Sequence, residues 1–226
     1  MELVVKVWSY VDGFNLYNGA AKPAGCKWLD LLKLSRSLVP NDDVERVKYF
    51  TAQVDARVND PDQPVRQRTY WRALRTLGCV DIIEGRFLTK RTQAPEAASI
   101  DHMAALARAG VSVVGTHPTM VDIYRSEEKG TDVNLATHLV HDAHLGRFDA
   151  ALVVSNDSDL CEAIRIVKSE IGKVVIVYTP HRKRPSSQLR AVATLFRELR
   201  PSHLSASLLA DTLADSRGPF TKPTGW

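Results

Sequence analysis

The N-terminal stretch VVKVWSYVDGFNLYNGA, residues 4–20, decides how the rest of the chain is read. Residues 4–11 form an apolar run rich in valine and aromatics, the pattern of a buried strand. The run stops at Asp12, which is followed at once by Gly13 and then by Asn15. A carboxylate there is either a turn residue or the first member of a site, and the placement of the other acids decides between them.

Working outward, four more short apolar runs, at 47–54, 79–83, 150–154 and 174–178, alternate with longer helical patterns. Strand and helix in succession predict an α/β fold with a mainly parallel sheet. Trp28, Leu31, Leu32, Leu34 and Leu38 lie on one helical stripe, and a second helix runs from Pro64 to a stop at Gly78. Residues 88–120 break the rhythm with an alanine-rich piece, ASIDHMAALARAG, that reads as an inserted helix, followed by the apolar VSVVG. A short extended stretch at 120–124 then precedes a helix that Thr131 can cap and Gly146 stops. The segment LRAVATLFREL is expected to be helical, and the tail from Pro201 to Trp226 to pack along the domain surface.

The chain has 226 residues, 44% of them hydrophobic, enough for one well-filled core. It contains no run of about 18 apolar residues, and MELVVKVW lacks a signal-peptide pattern, so a soluble, cytoplasmic protein without a membrane partner is expected. Cys26, Cys79 and Cys161 form no CxxC pair and argue against disulfides or a cysteine-rich zinc site; Cys79 and Cys161 read as small core residues. A net charge of +4 mildly favours an anionic partner such as nucleic acid.

In a parallel α/β sheet, ligands bind beyond the carboxyl ends of the strands. Asp12 follows the first strand, Asp132 opens the helix after residues 120–124, and Asp157 and Asp159 follow the strand at 150–154. All four are therefore expected at one edge, where mutual repulsion calls for protons or a hard divalent cation, Mg2+ or Mn2+. Singly, each has a plainer role as a turn residue, a first-turn charge or an N-cap. Asn15 and Ser155 could serve local backbone bonds or hold a carboxylate. His181, Arg182, Lys183 and Arg184 follow the last strand at the same edge, and Lys129 stands three residues before Asp132. Arg66, Arg68, Arg72 and Arg75 line the second helix, whose Tyr70 and Trp71 are expected to turn to the core. His138, His141 and His144 share a helix without an HExxH pattern and read as structural or exposed.

Three segments, VDGFNLYN (11–18), EKGTDVNLATHLVHDA (128–143) and DAALVVSNDSDLCEAI (149–164), together resemble the NYN family, a branch of the PIN-like metal-dependent ribonucleases. The likeness runs from residue 2 to about 198, leaving 199–226 as a C-terminal tail; SRGPFTKPTGW is similar to the end of a bacterial subgroup. The resemblance implies a three-layer α/β/α sandwich, PIN-like, in which Asp12, Asp132, Asp157 and Asp159 bind Mg2+ or Mn2+ for RNA hydrolysis. Asn15 and Ser155 would be polar support, and Lys129, Arg182, Lys183 and Arg184 would hold RNA phosphates. PIN-like nucleases are often dimeric, which makes a homodimer through 88–120 an expectation of the same kind. Two positions depart from the family pattern: Asn156, where glycine is frequent, and Ala193 with Thr194, where an acid is often found.

The expected activity is endoribonucleolytic cleavage by metal-activated water, with Asp12 and Asp157 as direct ligands. A catalytically silent RNA-binding module and a small-substrate phosphatase are the rivals. A haloacid-dehalogenase-like phosphatase needs a DxD motif after the first strand, and an NAD-binding domain needs GxGxxG there; Asp12-Gly13-Phe14 supplies neither.

Overall fold

The computed structural model describes residues 4–56, 59–111, 117–181 and 183–226. The chain divides into two compact units, one of Met1–Arg86 with Lys129–Trp226 and one of Phe87–Glu128. In chain order, β1 (Lys6–Asp12) enters the short α1 (Gly13–Leu16), followed by α2 (Leu31–Leu38), β2 (Asp43–Thr51), α3 (Gln63–Arg75) and β3 (Val80–Glu84). Next come β4 (Arg86–Pro95), α4 (Ala97–Arg108) and β5 (Met120–Lys129). The second half holds α5 (Thr131–His144), β6 (Ala150–Val154), α6 (Cys161–Arg165), β7 (Val174–Thr179), α7 (Ser187–Val192) and β8 (Leu195–Glu198). Finally, α8 (Pro201–Ser205) leads to the hairpin strands β9 (Thr212–Asp215) and β10 (Gly218–Thr221).

The first unit is built on a six-stranded sheet ordered β3-β2-β1-β6-β7-β8, with every pairing parallel. Successive strands run outward from β1 in one direction and from β6 in the other, so the winding reverses between β1 and β6. A crevice opens at such a switch point beyond the strand ends.

Strand alternation sorts the core into two layers. Val7 and Val11 of β1, with Ala150, Leu152 and Val154 of β6, face a cluster built from Trp28, Leu31, Leu34 and Leu38, and from Tyr70, Trp71 and Leu74. Tyr10 of β1, with Ala151 and Val153 of β6, faces Leu135, Leu139, Leu160, Ile164 and Leu189. Helices on both faces of one parallel sheet make the expected three-layer α/β/α sandwich. The expected stripe of α2 holds, with Leu32 only partly buried. Cys79 and Cys161 are half-buried and pack against the two clusters.

The face of the sheet toward α5 also buries a carboxylate. Asp142 is fully enclosed, its Oδ2 accepting from Tyr10 Oη at 2.9 Å and pairing with Lys48, its Oδ1 accepting from Arg147 at 2.9 Å. A buried charge persists only when its lone pairs are met in this way.

Three sequence expectations need correction. The segment LRAVATLFREL does not stay helical: α7 ends at Val192 and residues 195–198 become an edge strand. Thr194 and Val175 exchange two hydrogen bonds, N to O at 2.9 Å and N to Oγ1 at 3.1 Å, and this sheet pairing overrides local helix preference. Thr131 does not cap α5; Gly130 occupies that position at φ 96°, and Thr131 is buried as the first helical residue. The stretch at 120–124 is longer than read, since β5 runs to Lys129 and pairs with β4.

Trp226 meets Tyr70 and Trp28 with ring centroids 5.5 and 6.3 Å apart, and Arg72 of α3 binds Asp215 of β9 at 2.6 and 2.8 Å. The second unit consists of the β4–β5 ribbon and α4, the expected inserted helix, which buries no residue. Most of VSVVG lies outside the described residues.

Candidate functional site

The switch point is closed by a hydrogen bond. Asp12, the last residue of β1, is 1% exposed, and Ser155, just past β6, donates from Oγ to Asp12 Oδ2 at 2.8 Å. Asp12 also caps α1: its Oδ1 accepts from Asn15 N at 3.0 Å and its Oδ2 from Asn15 Nδ2 at 2.6 Å. Three donors leave roughly one of a carboxylate's four lone-pair positions for something else. Gly13 is required beside it, because a Cβ there would lie 2.7 Å from Phe50 O and 2.8 Å from the Tyr49 ring.

Ser155 Oγ in turn accepts from Asp157 N at 3.1 Å, and Asp157 caps the Ser158–Leu160 turn by accepting from Asp159 N at 3.0 Å. The plainer N-cap roles of Asp12 and Asp157 are therefore real. Burial pushes the Asp12 carboxyl above its ordinary range; the bonds from Asn15 and Ser155 pull against this, and the charge of Asp157 pushes the same way. Burial also raises the Cys161 thiol, with Asp157 and Asp159 adding to it.

Asp132 lies half-buried in the first turn of α5, a helix that packs against the Ser158–Leu160 turn. Lys129 is exposed at the end of β5, and Arg182 lies outside the described residues. Among the described residues, no three His, Cys, Asp or Glu side chains come together as a metal cage. A cage is not what magnesium or manganese needs, since such ions keep several waters and take one or two carboxylates with substrate phosphate. Asp12 and Asp157 fit that demand: they repel each other across the switch point, and Asp12 is held in its costly buried state beside an acid.

Sequence reasoning missed the part played by Asn156. Its Oδ1 accepts from Thr179 Oγ1 and Ser186 N, both at 2.8 Å, and its Nδ2 donates to Arg184 O at 3.0 Å. It thereby ties the loop after β7 to the acidic loop, a role a glycine could not fill. The available signal was an amide in place of glycine between two strand ends. Lys183 and Arg184 are exposed on that loop, while the His181 ring covers Gly19, where a Cβ would lie 2.7 Å from it. His141 and His144 are exposed, and His138 is half-buried against Lys48, as expected of structural histidines.

The model of the NYN domain family matches residues 6–200. The chain belongs to the NYN domain family. This NYN protein is 28% identical over 247 aligned positions, spanning 96% of the chain and 74% of the relative, to the 6-hydroxy-3-succinoylpyridine 3-monooxygenase HspA of Pseudomonas putida. Its fold is similar to the crystal structure of a protein of unknown function from Vibrio parahaemolyticus, with a TM-score of 0.52 and 17% identity over 92% of this chain and 99% of that one. The NYN fold is nuclease-like. No helix among the described residues is long and apolar enough to cross a membrane.

Proposed function

We propose that this NYN protein is a metal-dependent endoribonuclease whose substrate phosphate would be engaged at the β1–β6 switch point through a cation held by Asp12 and Asp157. The observation that carries the reading is the Ser155–Asp12 hydrogen bond, which holds two acidic strand ends together where α/β proteins bind ligands. A Mg2+ or Mn2+ ion, when bound, would supply Lewis acidity toward the phosphate and activate a water. Asp12 and Asp157 hold it, Asn15 and Ser155 fix the Asp12 carboxylate, and Asp132 and Asp159 add negative charge around the edge. Lys129, Lys183 and Arg184 hold flanking phosphates, so affinity falls with salt.

The test is cleavage of single-stranded RNA in manganese, magnesium or EDTA, with Asp12→Asn and Asp157→Asn purified identically. Metal-dependent turnover lost in both variants supports the reading. Equal RNA binding without turnover favours a silent RNA-binding module.

A second reading has its own support in the likeness, over 96% of the chain and 74% of the relative, to a protein named as a monooxygenase of 6-hydroxy-3-succinoylpyridine. It is tested by supplying that pyridine with dioxygen and a nicotinamide reductant. Consumption of the pyridine without RNA cleavage sinks the nuclease reading.

A further inference from the structure

Two clefts open beside the acidic loop on the β7–β8 side of the sheet. The first, about 710 Å³, has an apolar wall that includes Pro23, Pro180 and Leu204, and a basic rim of His181, Lys183 and Arg184. Asn18 and Gly19 also line it, one helical turn beyond Asn15, whose side-chain amide donates to the Asp12 carboxylate. The second, about 460 Å³, shares Glu198 with the first and continues along the edge strand past Arg190, Arg197 and Arg200. In it, the Arg190 guanidinium lies 4.7 Å over the Phe196 ring, forming a flat stacking surface.

Charge pairing separates these cations from others in the fold. Arg46, Arg72, Arg147 and Arg165 each bind a carboxylate. Lys183, Arg184, Arg190, Arg197 and Arg200 are exposed, and among the described residues none has an acid within ion-pair reach. A row of unneutralised cations, interleaved with apolar and aromatic surface and leading away from an acidic edge, matches the needs of a strand with regular negative charges and flat bases.

We propose that the two clefts form a track for one flank of single-stranded RNA. One base rests on the proline and leucine wall with its phosphate at Lys183 and Arg184. The next base stacks at Arg190 and Phe196, and the backbone passes Arg197 and Arg200. The track rests on the nuclease reading for its direction toward Asp12, but its occupancy is measured without turnover.

The experiment is fluorescence anisotropy of a short labelled oligouridine with the full chain in EDTA across a salt series. Lys183→Ala/Arg184→Ala and Arg197→Ala/Arg200→Ala are compared with Arg68→Ala/Arg75→Ala, which removes equal charge from the exposed face of α3. Losing two phosphate contacts should lower the log–log salt slope by about 1.4 and weaken binding about 25-fold near 0.1 M salt for each cleft variant. The α3 variant should bind as wild type. Thermal melts check that all three remain folded.

Cleft variants that bind like wild type, or an α3 variant that loses as much, overturn the track. Cleft-dependent binding without metal-dependent cleavage upholds the track while the nuclease reading falls. Metal-dependent cleavage with binding indifferent to both clefts does the reverse. A response to 6-hydroxy-3-succinoylpyridine with none to RNA removes the track as well.

Discussion

Asn156 Nδ2 donates to the carbonyl oxygen of Arg184 at 3.0 Å, so the acidic loop after β6 and the basic loop after β7 are held by one side chain. With its bonds from Thr179 and Ser186, Asn156 makes three links that alanine cannot replace. Asn156→Ala should destabilise the protein by about 1–2 kcal/mol in urea melts, the typical result of stranding partly buried partners. Backbone exchange across 183–186 should speed up in the same variant. Unchanged protection there would show that the loop is held by other means.

Gly13 tests how closely the site depends on packing. An added Cβ meets backbone at Phe50 and the ring of the enclosed Tyr49, neither of which can rotate away. Gly13→Ala should therefore lower stability by about 1–3 kcal/mol, the usual effect of overpacking. Because Gly13 follows Asp12 directly, the nuclease reading expects metal-dependent cleavage to fall further than the melting temperature accounts for. A variant as stable and active as wild type would remove the steric argument.

Lys48 Nζ lies 3.1 Å from His138 Nδ1, and a lysine ammonium has no acceptor, so His138 is neutral there with Nδ1 bare. Burial, with the Lys48 charge added, holds the His138 pKa below its ordinary value. A depressed histidine contributes stability that is present above its unfolded pKa of about 6.5 and lost as pH falls through the lower folded value. Stability measured from pH 8 to 5 should therefore decline in wild type, and more gently in His138→Gln. Parallel curves would assign the acid sensitivity elsewhere.

Arg72 and Asp215 fasten the β9–β10 hairpin to α3, and the bonds from Arg72 hold the Asp215 carboxyl well below the usual carboxylate range. The sign is opposite to that of a raised acid: the contribution is present above the unfolded value of about 3.9 and lost as pH falls through the folded one. Asp215→Asn should speed amide exchange in 212–221 at neutral pH and remove the extra loosening expected of wild type at acid pH. On the nuclease reading, RNA cleavage should be unaffected, since this pair joins α3 to β9.

Much of this molecule was legible from local pattern. Valine-rich runs separated by helical stripes specify parallel strands with helices on both faces, because a strand buried on both sides must be apolar throughout. The same logic located Asp12 and Asp157: an acid that interrupts such a run marks where the strand leaves the core, and in a parallel sheet those exits share one edge. Three features needed the folded chain. Edge strand β8 exists because Thr194, in a segment whose local sequence favours helix, meets Val175 of β7 across the sheet. Asn156 looked like a departure from a pattern, and only the approach of Thr179, Ser186 and Arg184 makes it a clamp. The Asp12–Ser155 bond joins residues 143 positions apart, and only the β1–β6 pairing brings them into contact. Local sequence determines which residues leave the core; the strand order, a sum of many weak long-range pairings, decides which of them meet.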